Sequence, residues 1–145
     1  PMHGGRFTGD PAYFKHVKKA VTKLMAKLNL KTEDVDYFVP HQPNPAFPVK
    51  VAKDLGFKDE QYLCSLQVKK FGNTYSGCSP VGLASVLDIA KPEQRIIVAS
   101  YGSGAGSDAY LLRTTNQLPD NRNGKNLTSK LRFLKHTYDA EQIES

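Results

Sequence analysis

His41 is the residue of this sequence best suited to proton transfer near neutral pH. It follows a short apolar run and is followed directly by Gln42, Pro43 and Asn44. An imidazole can give or take a proton near pH 7, while an asparagine amide can donate a hydrogen bond to an oxygen that becomes negatively charged. A histidine close to an asparagine donor is therefore suited to the chemistry of a carbonyl compound.

Two glycine-rich turns could contribute to the same site. One contains Asn73 and the other contains Ser103, and each lies at the end of a predicted strand or at a strand-to-helix junction. Glycines beside these side chains let a ligand approach the backbone closely. Singly, such features are more often structural than catalytic. A serine-hydrolase site is not supported, because the sequence has no G-x-S-x-G nucleophile elbow.

The residues around His41 predict that it lies just beyond a strand. Residues 35–39 are rich in β-branched and aromatic side chains, and Pro40 ends the run. Open α/β sheets place ligands and reactive groups beyond the carboxyl ends of their strands. A helix is expected to begin between Pro45 and Pro48 and to stop at Gly56.

The rest of the chain predicts further alternation of helices and strands, which is typical of an α/β layered fold. Asp10 is expected to cap a helix that runs from Pro11 to about Leu28. The remaining expected elements are a strand over 63–68, a mostly buried helix from about Ser79 to Ala90 closed by Pro92, and strands over 95–100 and 108–113. We expect one half-domain over residues 1–115, followed by a polar C-terminal tail over 116–145 with a possible short helix over 127–138.

Composition limits the class of protein. The chain has 145 residues, 39% of them hydrophobic, which suits one domain with a single core. Its longest apolar runs, such as residues 96–99, are far shorter than the roughly 20 residues of a membrane-spanning helix. No secretory signal is visible, so a cytoplasmic location is expected. Cys64 and Cys78 are too few for a disulfide framework or a structural zinc site, so both are interpreted as reduced thiols and no metal is expected.

The net charge of +6 raises the question of an anionic partner. Much of the charge falls on the outer face of the first expected helix, at Lys15, Lys18, Lys19, Lys23, Lys27 and Lys31. A solvated face is favoured over a docking surface for phosphates or an acidic partner. Nucleic acid is not expected, because neither paired metal ligands nor a basic strand with interleaved aromatic residues is present.

Three motifs at these separations resemble the C-terminal half of a thiolase-superfamily condensing enzyme, and most closely the archaeal type of 3-hydroxy-3-methylglutaryl-CoA synthase. The motifs are His41-Gln42-Pro43-Asn44, Gly72-Asn73-Thr74-Tyr75-Ser76-Gly77 and the run over residues 100–108. The glycine-rich opening over 3–9 and residues 47–49 fit the same family. The similarity covers residues 2–113, and it implies one half of a thiolase-like layered fold with a mixed sheet.

The resemblance also implies an activity and a set of site residues. In that family an acetyl group on a cysteine condenses with acetoacetyl-CoA, and the thioester is then hydrolysed. By this similarity His41 is the catalytic histidine that assists at the acceptor. Thr8, Asn73 and Ser103 correspond to residues that hold the acyl portion, and Arg6 and Lys50 to residues near coenzyme A. Coenzyme A thioesters would be substrates, with no permanently bound cofactor.

Two departures from the family affect this interpretation. Pro45 and Ala46 stand where the family usually has Gly-Lys, so one expected contact with coenzyme A is missing. The nucleophilic cysteine and the catalytic glutamate belong to the family's N-terminal half, and neither Cys64 nor Cys78 matches that cysteine. Because the chain begins at Pro1 inside a family motif, we expect a piece of a cut or split enzyme. Its expected partners are a complementary N-terminal half with the cysteine and glutamate, and a further copy in a dimer or larger complex.

Two other functions fit parts of the pattern. A ketoacyl carrier-protein synthase that primes fatty-acid synthesis shares a His-Gln-x-Asn run and a Gly-Asn-Thr turn, although it tends to have Gly-Gly-Gly where this chain has the Ser103 turn. A non-catalytic subunit that binds acyl-CoA or serves as a scaffold is slightly favoured by Ala46. The presence of both His41 and Asn73 counts against it.

Overall fold

A three-stranded mixed sheet forms the centre of the computed structural model, which describes residues 12–102 and 106–119. Its strands are β1 (Tyr37–Pro40), β2 (Arg95–Ala99) and β3 (Ala109–Arg113). The central strand β2 pairs in parallel with β1 and antiparallel with β3. Because β1 and β2 run in the same direction, the chain leaves both strands at the same edge of the sheet.

The helices lie on both faces of this sheet. They are α1 (Tyr13–Lys27), α2 (Ala46–Leu55), α3 (Asp59–Tyr62), α4 (Val68–Phe71) and α5 (Cys78–Leu87). Single 3₁₀ turns occur at Thr32–Asp34, Leu63–Ser65 and Tyr75–Gly77. Helices α1 and α2 contact each other and the sheet, while α5 packs against β1 and β2.

The strands divide their side chains between two hydrophobic clusters, because successive residues of a strand point to opposite faces. Phe38 and Ile97 belong to the cluster that contains the buried residues of α1 and α2. Val39, Ile96 and Val98 belong to the cluster that contains Val86 of α5. The two-residue period thus produces the layered arrangement that the alternation of elements predicts.

Helix α1 is amphipathic, as its sequence predicts. Its buried residues recur at three-and-four spacing, and they are Tyr13, Phe14, Val17 and Val21. Fully burying a valine side chain stabilises a fold by about 1.5–3 kcal/mol, so this face anchors the helix to the sheet. Lysines 15, 19 and 23 are exposed on the opposite face. The expected cap and first helical residue, Asp10 and Pro11, lie outside the described residues.

The prediction of a strand over residues 63–68 is wrong. The segment forms a 3₁₀ turn and then enters α4. The backbone N–H groups of Gln67 and Val68 both donate to the side-chain Oε1 of Gln42, at 2.7 and 2.9 Å. A distant side chain therefore satisfies donors that a strand would direct to a neighbouring strand.

The observed ends of the helices agree only in part with the ends predicted from the sequence. Gly56 ends α2 with a left-handed φ of 88°, as expected of a C-terminal glycine. Helix α5 ends at Leu87, before the expected Ala90, although Ala90 is still buried. The possible helix over 127–138 lies outside the described residues, and the boundary near residue 115 stays a prediction. None of the helices in the described ranges is both long and apolar enough to cross a membrane.

Candidate active site

The backbone of His41 is fixed by two hydrogen bonds. Its N–H donates to the carbonyl of Ala99 at 2.8 Å, which continues the pairing of β1 with β2 by one residue. Its carbonyl oxygen accepts a hydrogen bond from the hydroxyl of Tyr13 at 2.5 Å. His41 therefore starts the loop after β1 in a position set by both the sheet and α1.

The imidazole of His41 lies among aromatic rings. Its ring centroid is 6.3 Å from that of Tyr13 and 5.9 Å from that of Tyr101. The residue is only 7% exposed, and burial lowers the pKa of the imidazole below its usual value. Within the described residues, neither ring nitrogen has a hydrogen-bond partner. A neutral imidazole of this kind can donate a hydrogen bond to a carbonyl oxygen or accept a proton.

The next residue, Gln42, is a structural clamp. Its side chain is almost fully buried, and its Nε2 donates to the carbonyl of Ser65 at 2.8 Å. Its Oε1 accepts the two backbone N–H groups at the start of α4. Gly82 of α5 makes room for this amide, because a Cβ at that position would lie 2.8 Å from Nε2. The loop that carries His41 is thereby tied to both α4 and α5.

Asn44, the last residue of the motif, caps α2. Its Oδ1 accepts the backbone N–H groups of Ala46 and Phe47, both at 2.9 Å. Such a cap satisfies donors that have no partner inside the helix. Asn44 therefore fixes where α2 begins.

Asn73 lies in the turn between α4 and α5. Its Oδ1 accepts the backbone N–H of Tyr75 at 2.8 Å and the thiol of Cys78 at 3.3 Å. Gly72 has a φ of 71°, a conformation that favours glycine and aims the turn. Asn73 itself is exposed. With its oxygen held by the protein, its Nδ2 is the end of the amide that can donate to a ligand.

The three motifs of the sequence meet in this region. Tyr101, in the third motif, contacts the ring of His41. The thiol of Cys78 lies 3.4 Å from the carbonyl oxygen of Gln42 and 3.3 Å from Oδ1 of Asn73, so one sulfur joins the first two motifs. Gly102 and Gly106 pair across the third turn. Arg6, Thr8 and Ser103 lie outside the described residues, so their predicted roles stay predictions.

Lys50 lies beside a surface cleft of about 540 Å³ next to the start of α2. Its Nζ contacts both carboxylate oxygens of Asp54 and lies 5.4 Å from the ring centroid of Phe14. The cleft is lined by Pro45, Ala46, Val49, Lys50, Lys53, Asp54 and Lys69. Three lysines and one carboxylate therefore line a cleft with apolar walls, although the family's usual lysine at the position of Ala46 is absent.

Two structural residues of the site were not singled out from the sequence. Tyr13 holds the carbonyl of His41, and Gln42 clamps the loop. Nothing in the sequence indicated the role of Tyr13, because a tyrosine at the start of an amphipathic helix has the pattern of any core aromatic residue. The sequence did indicate a role for Gln42, since a glutamine between a buried strand and two prolines needs a hydrogen-bond partner. Among the residues described, no group of three or more histidine, cysteine or acidic side chains could hold a metal ion.

Comparison with protein families identifies the group to which this arrangement belongs. Residues 25–114, more than half of the chain, match the family of the C-terminal domain of 3-oxoacyl-[acyl-carrier-protein] synthase III. The chain belongs to this family. The matched range includes β1, α2, α5, β2 and β3, and with them His41 and Asn73.

Within the synthase III C-terminal family, the chain is similar to hydroxymethylglutaryl-CoA synthases. It is 46% identical to the enzyme of Methanosphaera stadtmanae, over 97% of this chain and 42% of that protein. It is 56% identical to the enzyme of Archaeoglobus fulgidus, over 81% of this chain and 34% of that protein. The chain thus spans about two fifths or less of the length of these relatives. The resemblance to the C-terminal half of an archaeal-type synthase is confirmed.

Solved structures confirm the fold expected of the synthase III C-terminal family. The 3-oxoacyl-(acyl carrier protein) synthase III of Pseudomonas aeruginosa has a TM-score of 0.65 and 22% identity, covering 72% of this chain and 32% of that chain. The corresponding synthase of Aquifex aeolicus has a TM-score of 0.63 and 24% identity, covering 69% and 32%. The expected mixed sheet with helices, in a thiolase-like arrangement, is therefore confirmed.

Proposed function

We propose that this chain is the C-terminal part of a hydroxymethylglutaryl-CoA synthase, an enzyme that condenses acetyl-CoA with acetoacetyl-CoA on the route to mevalonate. The observation that carries the proposal is that a buried His41 with a lowered pKa and the exposed amide of Asn73 lie on two turns that contact the same thiol. The archaeal relatives, at 46% and 56% identity, support this choice of reaction.

In this proposal His41 acts at the acceptor carbonyl. As the carbon–carbon bond forms, the ketone of acetoacetyl-CoA gains negative charge on its oxygen. A neutral imidazole can donate a hydrogen bond to that oxygen, and low exposure to water strengthens the interaction. Asn73 Nδ2 would hold an acyl carbonyl beside it, and Thr8 and Ser103 would complete that pocket. The nucleophilic cysteine and the catalytic glutamate would come from the N-terminal half.

Coenzyme A is proposed to approach along α2. The cleft beside Lys50 combines apolar walls with three ammonium groups, a combination suited to a thioester with a phosphorylated tail. Lys53 and Lys69 are further cations in a cleft where Ala46 replaces the family's usual lysine. Arg6 would contribute a further contact with the cofactor. Coenzyme A thioesters enter and leave as substrates and products in this proposal, with no permanently bound group.

A complementary N-terminal half is proposed to cover α5. Ala84 of α5 is exposed, and Leu83 and Leu87, which pack against the cluster around Val39 and Val86, are only partly buried. Nearby, Leu63 is 50% exposed and Ile89 is 52% exposed. A partner that packs here would remove these apolar side chains from water. We propose further that the assembled enzyme dimerises in the cytoplasm, and the free thiols Cys64 and Cys78 suit that reducing compartment.

A second candidate is a ketoacyl carrier-protein synthase of the type that primes fatty-acid synthesis. The specific observation in its favour is the family match, which is to the C-terminal domain of synthase III. The likeness to solved synthase III structures, at 22% and 24% identity, supports the shared fold alone. The two candidates differ in what carries the second substrate, which is coenzyme A in the first and an acyl carrier protein in the second.

The test is reconstitution of the reaction. This chain is combined with a cysteine-bearing N-terminal half, acetyl-CoA and acetoacetyl-CoA are supplied, and release of free coenzyme A is followed. We expect condensation that His41→Ala reduces by about 10²-fold or more, the size typical of lost acid–base or oxyanion assistance. The control is Lys27→Ala, which alters an exposed residue at the end of α1 and should change nothing.

Three outcomes would contradict the proposal. Condensation that requires an acyl carrier protein would establish the second candidate. Acyl-CoA binding without turnover would indicate a non-catalytic subunit. Activity that His41→Ala leaves intact would remove the histidine from the mechanism.

A further inference from the structure

The sulfur of Cys78 contacts both turns of the candidate active site. Its S–H lies within donor distance of two oxygens, the carbonyl of Gln42 at 3.4 Å and Oδ1 of Asn73 at 3.3 Å. It also accepts a hydrogen bond from the hydroxyl of Thr74 at 3.5 Å. Cys78 is only 2% exposed and is the first residue of α5. A buried sulfur thus joins the end of β1, the Asn73 turn and the start of a core helix.

This contact determines which end of the Asn73 amide faces outward. The Oδ1 of Asn73 is held from two directions, by the backbone N–H of Tyr75 at 2.8 Å and by the Cys78 thiol. If the thiol is lost, one backbone bond remains, and the exposed side chain can rotate more freely about its terminal torsion. The orientation of Nδ2, which the proposed mechanism uses, therefore depends on Cys78.

We propose that Cys78 is a positioning residue, which holds the Asn73 amide against the loop of His41. This inference rests on the proposed function, since it assigns Cys78 a role in that site. The residue touches no reacting atom. Its effect passes through Asn73 on one side and through the Gln42 carbonyl, one residue after His41, on the other. The second cysteine, Cys64, offers a matched comparison, because it packs against the cluster around Val39 and Val86.

A double-mutant comparison in the reconstituted enzyme separates positioning from a general structural role. We expect Cys78→Ala to lower kcat by about tenfold with a smaller change in KM, because misplaced hydrogen-bond donors act mainly on the transition state. Cys78→Ser keeps a donor and should stay within about threefold of the parent enzyme. In an Asn73→Ala background, Cys78→Ala should change kcat less than about twofold, since residues that act through one group are not additive.

The opposite results overturn the inference. An equal loss from Cys78→Ala in both backgrounds would indicate a structural role, and no loss in the parent background would remove the role altogether. Cys64→Ser should leave kcat unchanged. If the unaltered enzyme shows no condensation, the proposed function itself is contradicted. A second measurement then tests whether the Asn73 turn holds the Cys78 thiol.

That measurement uses the reactivity of the thiol and needs no turnover. In a Cys64→Ser background, Cys78 is the remaining cysteine of this chain, and its labelling by an aromatic disulfide reagent is followed. We expect Asn73→Ala to raise the labelling rate by about tenfold, because the turn that covers the sulfur is released. Asn116→Ala, an exposed control, should leave the rate unchanged. Equal rates in the two variants would show that the Asn73 turn does not hold the thiol.

Discussion

The hydroxyl of Tyr13 donates a hydrogen bond to the main-chain carbonyl of His41, at 2.5 Å, across 28 positions of sequence. Tyr13 opens α1 and is fully buried, while His41 follows β1. The first helix therefore fixes the exit path of the chain from the sheet at the residue proposed to do the chemistry. Burial also raises the pKa of the Tyr13 hydroxyl, so the group stays a donor at all physiological pH values.

Removing this hydroxyl tests its contribution. We expect Tyr13→Phe to lower the free energy of unfolding by about 1–3 kcal/mol, because it leaves the buried carbonyl of His41 without this donor. Denaturant unfolding measures the change. Tyr110→Phe, which removes a hydroxyl from a tyrosine that is 55% exposed, is the matched control and should change stability by less than about 0.5 kcal/mol. Equal effects of the two substitutions would show that the hydrogen bond from Tyr13 makes no specific contribution to the free energy of unfolding.

The lowered pKa of His41 predicts a pH dependence of stability. The folded protein binds a proton at His41 less readily than the unfolded chain, whose histidine titrates near 6.5. The unfolded state therefore takes up the proton first as the pH falls. The free energy of unfolding should decrease from about pH 6.5 down to the lower pKa of the folded state, and be unaffected by His41 above that range. Unfolding curves of the unaltered protein and His41→Asn, compared from pH 5 to 8, should diverge on the acid side. Parallel curves would contradict the prediction.

Gly82 should tolerate no side chain. A Cβ there would lie 2.8 Å from Nε2 of Gln42, 2.9 Å from Cγ1 of Val39 and 3.0 Å from the carbonyl oxygen of Ser65. We expect Gly82→Ala to cost about 1–3 kcal/mol of stability through overpacking, even though alanine is the better helix former. Gly77→Ala is the control, because its Cβ would meet Thr74 at an ordinary 3.5 Å. Thermal unfolding of both variants measures the difference, and a Gly82→Ala protein as stable as the parent would refute the packing argument.

Lys50 should affect substrate binding more than turnover. Removing one ammonium group from the cleft weakens attraction for a phosphorylated substrate without altering His41 or Asn73. We therefore expect Lys50→Ala to raise KM for the coenzyme A substrate about three- to tenfold at low salt, and to leave kcat nearly unchanged. Lys27→Ala, on the exposed end of α1, is the matched control. A change confined to kcat would argue against a role in binding.

Much of the fold follows from local patterns in the sequence. The three-and-four spacing of Phe14, Val17 and Val21 predicts α1 because such spacing places apolar side chains on one helical face. The dense β-branched run over 96–98 predicts β2, and Gly56 ends α2 as expected. The site could be located in outline, because His41 was expected at the end of a strand. These successes share a cause: each depends on neighbours within a few residues.

What the sequence by itself determined is thus the order and type of most elements, and the three motifs that identify the family. Only the tertiary structure decided how these motifs are held. In the fold, the hydroxyl of Tyr13 donates to the carbonyl of His41. The side chain of Gln42 accepts hydrogen bonds from the backbone N–H groups of Gln67 and Val68, so the expected strand is replaced by a turn and a short helix. Such bonds join residues about 25 or more positions apart, so no local propensity encodes them. They form because buried polar groups must find partners wherever the packed chain brings them together.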